Sequence, residues 1–333
     1  MSMEKPTIYD VARLANVSPA TVSRFINKSS AIDKSKSIQI KEAISTLNYQ
    51  PREPRPYKDS LSIGVLLTTC DCPFSNKILT GINHYANQTR SQLVIETSDW
   101  DPQQEISRLK YFRKLNLDGV IVVLGHISTQ DTKQILGNTP VIFTCRRDSA
   151  EANTLNINNL IGGKLATNHL LQLGHHRIAH ITGPSNVFDS QCRLQGYRES
   201  LTTAGLEIDD ELIVEGDFSM KSGFAATQQL LTKGVSFSAI FAANDHTAFG
   251  AIQALDQSGL KVPCDISVIG FDDHPMCPFF IPQLTTIKQP LFELGLGAFS
   301  SLRAHIQRKP SNISLPPFEL IIRKSTAARN PLN

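Results

Sequence analysis

From Leu61 onward the chain alternates short apolar runs with stretches whose apolar residues recur at helical spacing. LSIGVLL is followed by NKILTGINHYANQT, QLVIETS by QQEISRLKYFRKLN, and DGVIVVLG and PVIFTC continue the series. After a helical run near 160–173 the rhythm restarts with HRIAHITG, RLQGYRESLTTAG, ELIVEGDF, KSGFAATQQLLTKG, SAIFAAND, HTAFGAIQALDQSG and ISVIGFDD. Apolar strands alternating with helices predict parallel sheets flanked by helices, and the restart predicts two similar lobes. Ligands of such folds bind outside the carboxyl ends of the strands, which places a site in the cleft between the lobes.

The first fifty residues follow a different rhythm, of three short helices. In TIYDVARLA, Thr7 caps, Asp10 lies in the first turn, and Ile8, Val11, Ala12, Leu14 and Ala15 form an apolar face. Asn16 and Val17 make a turn. SPATVSRFIN follows, with Ser18 as N-cap and Pro19 at the first helical position, where its missing N–H does no harm. Val22, Phe25 and Ile26 face inward; Pro19, Ala20, Thr21, Ser23, Arg24 and Asn27 face outward. A third pattern, DKSKSIQIKEAISTLNY, supplies Ile38, Ile40, Ile44 and Leu47 against the first two. This is the helix-turn-helix plan, whose second helix lies in the major groove of DNA. Thr21, Ser23 and Asn27 can bond phosphates, Ala20 can approach base edges, and Arg24 can pair bidentately with guanine.

Charge strengthens that reading. The whole chain of 333 residues is nearly balanced, 33 basic against 30 acidic, and its length predicts two or three domains. Residues 1–58 nevertheless hold ten Lys/Arg and five Asp/Glu, a net +5, leaving −2 for residues 59–333. A positive excess confined to the helical unit points to a polyanion. The stretch YQPREPRPYKDS joins the two parts, with prolines at 51, 54 and 56. It reads as a stiff extended arm, either a tether or a segment whose Arg52, Arg55 and Lys58 track phosphates or enter the minor groove. With no basic-then-apolar leader and no membrane-length apolar run, the chain is expected to be cytoplasmic, with no membrane partner.

Six scattered cysteines (70, 72, 145, 192, 264, 277) fit a reducing compartment, and Cys70 and Cys72 form only C-x-C, so no metal is expected. The adjacent His175 and His176 read as structural. Neither G-x-G-x-x-G after the first strand nor a P-loop occurs, so no cofactor is expected. The strand ends are richer. Asn244 and Asp245 end one strand, Asp272 and Asp273 another, and Asp189 and Arg193 follow a third. Acids, an amide and an arginine converging on one cleft suit a polyhydroxylated ligand, each hydroxyl of which both donates and accepts. Phe218 and Phe74 offer stacking faces.

The run TIYDVARLANVSPATVSRFINKSSAIDKSKSIQIKEAISTLNYQP, with YDVA, NVS-xx-TVSR-xx-N and LNY-x-P in order, resembles the headpiece of the lac/galactose repressor family of bacterial regulators. RLQGY, EGDFSMKSGF, AANDHTAFGAI, SVIGFDD and PQLTTIKQP extend the resemblance over a two-lobed α/β core like that of periplasmic sugar-binding proteins. The resemblance implies a DNA-binding headpiece over 1–50, a proline-rich hinge over 51–60 and an effector-binding and dimerisation core over 61–333. Lobe 1 is expected over about 61–160 and 290–318, lobe 2 over about 161–289 and 319–330. It places Pro19, Ala20 and Arg24 at bases and Thr21, Ser23 and Asn27 at phosphates, with Thr7, Tyr9 and Ser18 in the same DNA-facing set. It makes Arg193, Asn244 and Asp272 effector contacts and Phe218 a stacking ring, joined by Phe74, Arg146 and Asp189.

Some positions depart from the family pattern. Asn16 stands where glycine is frequent, and the hinge is short, lacks the usual wedge leucine and carries Pro54 and Pro56. CPFS at 72–75 replaces N-P-F-F, and Cys145–Arg146 replaces D-R. The expected function is a non-enzymatic, homodimeric repressor of carbohydrate-utilisation genes that reads a pseudo-palindromic operator in double-stranded DNA and responds to a sugar. The alternative effector is a purine or nucleoside. A carbohydrate-active enzyme fused to a DNA-binding module is the competitor of a different class, and no catalytic set supports it.

Overall fold

The structure, a computed structural model, describes residues 6–27, 33–49, 60–69, 72–146 and 153–329, which fall in two units, 1–59 and 60–333. The segment carrying Arg52 and Arg55 lies outside the described residues, as does Cys70.

In the first unit, α1 (Ile8–Leu14) starts with a reciprocal cap. The Thr7 backbone N–H and hydroxyl both donate to Asp10 Oδ2, at 2.9 and 2.6 Å. These two bonds hold the Asp10 carboxyl below its ordinary range. Asn16 turns the chain at φ 49°, a left-handed conformation that asparagine tolerates. α2 (Pro19–Asn27) and α3 (Lys34–Thr46) follow, the latter capped by Asp33, whose Oδ1 accepts the Ser35 N–H at 2.8 Å. Val11, Ala12, Ala15, Val22, Ile40 and Ala43 form the core, flanked by Ile8, Phe25, Ile26, Ile44 and Leu47. Two residues expected inside are not. Leu14, on the flank of the 8-11-12-15 stripe, is 51% exposed, and Ile38, opposite the 40-43-44-47 stripe, is 57% exposed.

The second unit holds two sheets. The first is built by β1 (Ser62–Leu67), α4 (Pro73–Gln88), β2 (Gln92–Thr97), α5 (Pro102–Leu115), β3 (Gly119–Val123), α6 (Thr129–Leu136), β4 (Val141–Thr144) and β5 (Thr154–Leu155). Its order is β2-β1-β3-β4-β5, and every pair is parallel. The second sheet begins after α7 (Asn159–Gln172) with β6 (Ile178–Thr182), α8 (Phe188–Thr203), β7 (Ile213–Glu215), α9 (Met220–Thr232), β8 (Ala239–Ala242), α10 (Asp245–Gln257), β9 (Ser267–Phe271) and β10 (Thr285–Lys288). After β10 the chain leaves this sheet at Gln289 and Pro290, and α11 (Leu291–Ile306) packs on α4, β3 and β4 of the first. β11 (Glu319–Ile321) then returns to the edge of the second, giving the order β11-β10-β9-β8-β6-β7, with β11 the antiparallel member.

Strands β3, β4, β6, β8 and β9 are buried along their whole length, as strands covered on both faces must be. Each sheet therefore has a core on either side. For the second sheet, Ile181, Ile240 and Val268 pack with α9 and α10, while Ala179 joins that face and Phe241, Ile269 and Tyr197 occupy the other. His175 is structural, its ring bonded to Ser238, Ser267 and the Ala327 carbonyl.

Candidate functional site

The carboxyl ends of both sheets open into one cavity of about 560 Å³. Its walls come from the loops after β1, β2 and β3 on one side and after β6, β7, β8 and β9 on the other. A smaller cavity of about 260 Å³ lies at the amino ends of the second sheet's strands, lined by His175, Phe237, Ile266 and Arg329 among others. The larger one has both the position and the chemistry of a ligand site.

Arg193, on the second turn of α8, is its charged centre and is only 3% exposed. Its Nε donates to Asn159 Oδ1 at 2.9 Å and its Nη1 to the Ala243 carbonyl at 2.6 Å. The guanidinium lies 3.9 Å from the Phe271 ring centroid and 5.9 Å from that of Phe218. Nη2 is 3.8 Å from Asp272 Oδ1, an oxygen that also accepts Gln289 Nε2–H at 2.6 Å. Both Arg193 and Asp272 line the cavity.

Asp272 has φ 106° and Asp273 φ 55°, so β9 ends in two residues that turn sharply into the cleft. Burial pushes the Asp272 carboxyl up to about 6, against the opposing pull of Arg193 and Gln289. Asp189, in the first turn of α8, is raised by burial and drawn back by Arg193. Arg323 Nη2 meets Asp273 Oδ1 at 2.6 Å. Phe218 stands at φ 67° with its ring over Gly183, where an added Cβ would lie 2.1 Å from the ring. Asn244 caps α10, its Oδ1 accepting the Thr247 N–H at 2.9 Å, and its Nδ2 donates to the Phe218 carbonyl at 3.0 Å. The amide thus braces the Phe218 loop as well as lining the cavity.

Asp245, in the cavity's lining, is itself only 1% exposed. Its carboxylate accepts the His274 N–H at 2.6 Å, the Cys277 thiol at 3.2 Å and the Thr286 hydroxyl at 2.6 Å. Burial, reinforced by the charge of Asp272, pushes it up to about 7.

The structure thus brings Phe74, Asp189, Arg193, Phe218, Asn244 and Asp272 to one cavity. Arg146 is not among its lining residues. Its Nη1 donates to the carbonyls of Gly125 (3.0 Å) and Ile127 (2.7 Å), and its Nη2 lies 3.4 Å from Glu105 Oε1. Buried Glu105 on α5 captures the guanidinium and turns it from the cleft. Sequence reasoning missed Trp100, His126, His246 and His274, which all line the cavity. Each follows a strand by three or four residues, so the rule that selected Asp272 and Phe218 would have selected them had it been extended to tryptophan and histidine.

On the DNA side, the exposed face of α2 presents Pro19, Ala20 and Arg24, with Thr21 and Ser23 half-buried beside them and Asn27 ending the helix. Ser18 Oγ accepts the Thr21 N–H at 3.2 Å and lies 2.8 Å from the Thr21 hydroxyl. Tyr9 on α1 is 66% exposed, and Thr7 is committed to its cap.

Residues 7–52 match the family described as bacterial regulatory proteins, lacI family, and residues 167–326 match the periplasmic binding protein-like domain. The ribose operon repressor of Escherichia coli strain K12 is 38% identical over 296 residues, covering 87% of this chain and 89% of that protein. The chain belongs to the lacI family of bacterial regulatory proteins. A second lacI-type relative, the HTH-type transcriptional repressor PurR of Haemophilus influenzae, is 34% identical over 331 residues, 96% of this chain and 98% of its own. Among solved structures, the lac repressor dimer bound to operator and the anti-inducer ONPF has a TM-score of 0.75 at 31% identity, covering 98% of this chain and all of that one. The complex of the transcriptional regulator CelR with cellobiose has a TM-score of 0.72 at 31% identity, covering 96% of this chain and 99% of its own. The lacI-family fold, a helix-turn-helix unit followed by a two-sheet α/β core, accounts for every described element.

Proposed function

We propose that this lacI-family regulator is a homodimeric repressor of carbohydrate-utilisation genes that binds a pseudo-palindromic operator and releases it when a sugar fills the cleft. The observation that carries the sugar reading is the set at the strand ends. A buried guanidinium and the Asp189 and Asp272 carboxyls converge beside the Phe218 ring, which matches alternating hydroxyl and C–H faces of a pyranose or furanose. The ribose operon repressor and the CelR–cellobiose complex support the same class. Sequence reading comes from α2, with Arg24 on bases and Thr21, Ser23 and Asn27 on phosphates.

An effector can shift operator affinity only by as much as it prefers one state over the other. Domain limits of 1–50, 51–60 and 61–333 serve this division of labour. Among the described residues no helix is long and apolar enough to cross a membrane, and we assign the regulator to the cytoplasm. It acts by binding, so the effector is recovered unchanged.

The test is a thermal-shift panel of mono- and disaccharides, sugar phosphates and purines. A ligand at 100 times its Kd adds about 2.7 kcal/mol, several degrees of melting temperature. One sugar should shift the protein, and Arg193→Ala and Asp272→Ala should abolish the shift. The PurR relative keeps a purine effector as the second reading; a shift with hypoxanthine and silence from all sugars would decide for it. On DNA, Arg24→Ala should cost about 1–3 kcal/mol per base contact and relax specificity, while leaving non-specific binding nearly unchanged.

A further inference from the structure

The carboxyls that line the cavity are not alike in their partners. Arg193 draws Asp272 and Asp189 toward ionisation, Asp273 is paired with Arg323, and hydrogen bonds from Ser219 and Ser222 hold Asp217 below its ordinary range. Asp245, at the start of α10, has hydrogen bonds but no cationic partner among the described residues. Gly270 on β9 leaves the space its carboxyl fills, since an added Cβ there would lie 2.2 Å from Oδ1. A buried carboxylate without a cation is costly, and a proton removes the cost.

The three bonds fix where that proton sits. Oδ2 accepts the His274 N–H at 2.6 Å and the Cys277 thiol at 3.2 Å, and a backbone N–H can only donate. Oδ1 meets the Thr286 hydroxyl at 2.6 Å, and a hydroxyl both donates and accepts. A proton on Oδ1 therefore turns the Thr286 bond round without breaking the other two. Thr286 Oγ1 also accepts the Asp273 N–H at 3.4 Å, which ties this bond to the turn that presents Asp272.

The charged and titratable groups around Asp245 come from neighbouring elements. Asp272, at the end of β9, opposes its ionisation. His246 follows it on α10, His274 and the Cys277 thiol face it from the loop after β9, and Arg323 acts on that thiol while bonded to Asp273. Burial holds both histidines below and the thiol above their ordinary ranges, so all three are mostly neutral at pH 7. Their neutrality leaves Asp272 as the charge that acts on Asp245.

A ligand hydroxyl that donates to the Asp272 carboxylate fixes the negative charge there. Two neighbouring carboxyls resist being ionised together, so the proton then belongs on Asp245. We propose that Asp245 couples effector binding to proton uptake: the effector engages ionised Asp272 while Asp245 is neutral, its proton on Oδ1 and directed at Thr286. Asp245 is thus a positioning residue that acts on the ligand through Asp272. The coupling rests on the sugar reading above, in which Asp272 is an effector contact.

Binding that takes up a proton weakens as pH rises. With Asp245 pushed up to about 7, sugar affinity should fall roughly tenfold between about pH 7 and pH 8.5, with about half a proton taken up per site at pH 7. The full-length protein is titrated calorimetrically with ribose, glucose, galactose and cellobiose, in phosphate and in Tris, whose different ionisation heats give the proton count. Asp245→Asn copies the neutral form, with an amide N–H in place of the Oδ1–H, and should show neither the alkaline fall nor the uptake. Thr286→Val tests the same assignment with the carboxyl in place. It removes a bond that favours the ionised form more than the neutral one, and should move the fall to higher pH. A sugar that binds with flat affinity and no uptake overturns the coupling while leaving the sugar reading intact. So does an uptake that persists in Asp245→Asn, or a fall that Thr286→Val does not move. Absence of binding by all four sugars at every pH overturns the sugar reading and the coupling with it.

Discussion

Asp245 is a carboxyl with three donors and no cation among its hydrogen-bonding partners. Its ordinary value of 3.8 rises to about 7 in the fold because burial penalises the charge and Asp272 lies nearby. Between those values the folded state keeps a proton that the unfolded state has released. The group's contribution to stability is therefore full in acid and is lost as pH rises toward about 7, at about 1.4 kcal/mol per pH unit in the window. Asp245→Asn removes the titration, so its melting temperature should fall less than that of wild type between about pH 5 and pH 7. An unchanged pH profile would show that Asp245 is ionised throughout. The same residue scale separates what could be read in advance from what could not. Asn244 and Asp272 were legible because a polar residue just past an apolar strand has few other places to go, whereas Arg193, on the second turn of α8, was singled out by the family resemblance. Arg146 obeyed that rule equally well and yet faces away, since its direction is decided by Glu105 and two carbonyls about twenty residues distant. Trp100 follows its strand by three residues and was missed because the rule was applied to polar residues and phenylalanines alone.

At the scale of elements, α4 and α11 lock the first sheet's outer layer through two glycines. A Cβ built on Gly81 would lie 2.0 Å from the Phe292 carbonyl oxygen, and one on Gly295 would lie 2.1 Å from that of Ile78. Backbone cannot yield as a flexible side chain would, so the helices must separate. Gly81→Ala should lower stability by roughly 1–3 kcal/mol, the usual cost of overpacking, even though alanine is the better helix former. A urea midpoint equal to or above wild type would mean that the pair has slack. This contact also explains why α11 escaped a reading by periodicity. LFELGLGAF is apolar on most of its circumference and contains two poor helix formers, which obscures the period. α6 is only eight residues long and mostly polar. The helix expected to begin at Asn76 begins at Pro73, because Cys72 ends the strand loop and proline takes the first turn without needing its N–H. The central strands, in contrast, were legible because burial on both faces leaves them mostly apolar.

For the whole molecule, the question is how the positive charge of residues 1–58 is used. The remainder is net negative, so it opposes rather than assists approach to a polyanion. Of the ten basic residues in the first 58, three lie in the proline-rich stretch, at 52, 55 and 58. A passive tether has no need of three basic residues. If Arg52 and Arg55 each neutralise a phosphate, their loss from both chains of a dimer removes four contacts. Each contact contributes about 0.9 to the slope of log affinity against log salt. Arg52→Ala with Arg55→Ala should therefore flatten that slope by about 3 to 4 and weaken operator and non-specific DNA alike. Arg24→Ala should do the opposite, costing specificity with little change in slope. The two patterns separate positioning from reading in a single set of titrations at graded salt, and a double variant with wild-type slope reduces the arm to a tether.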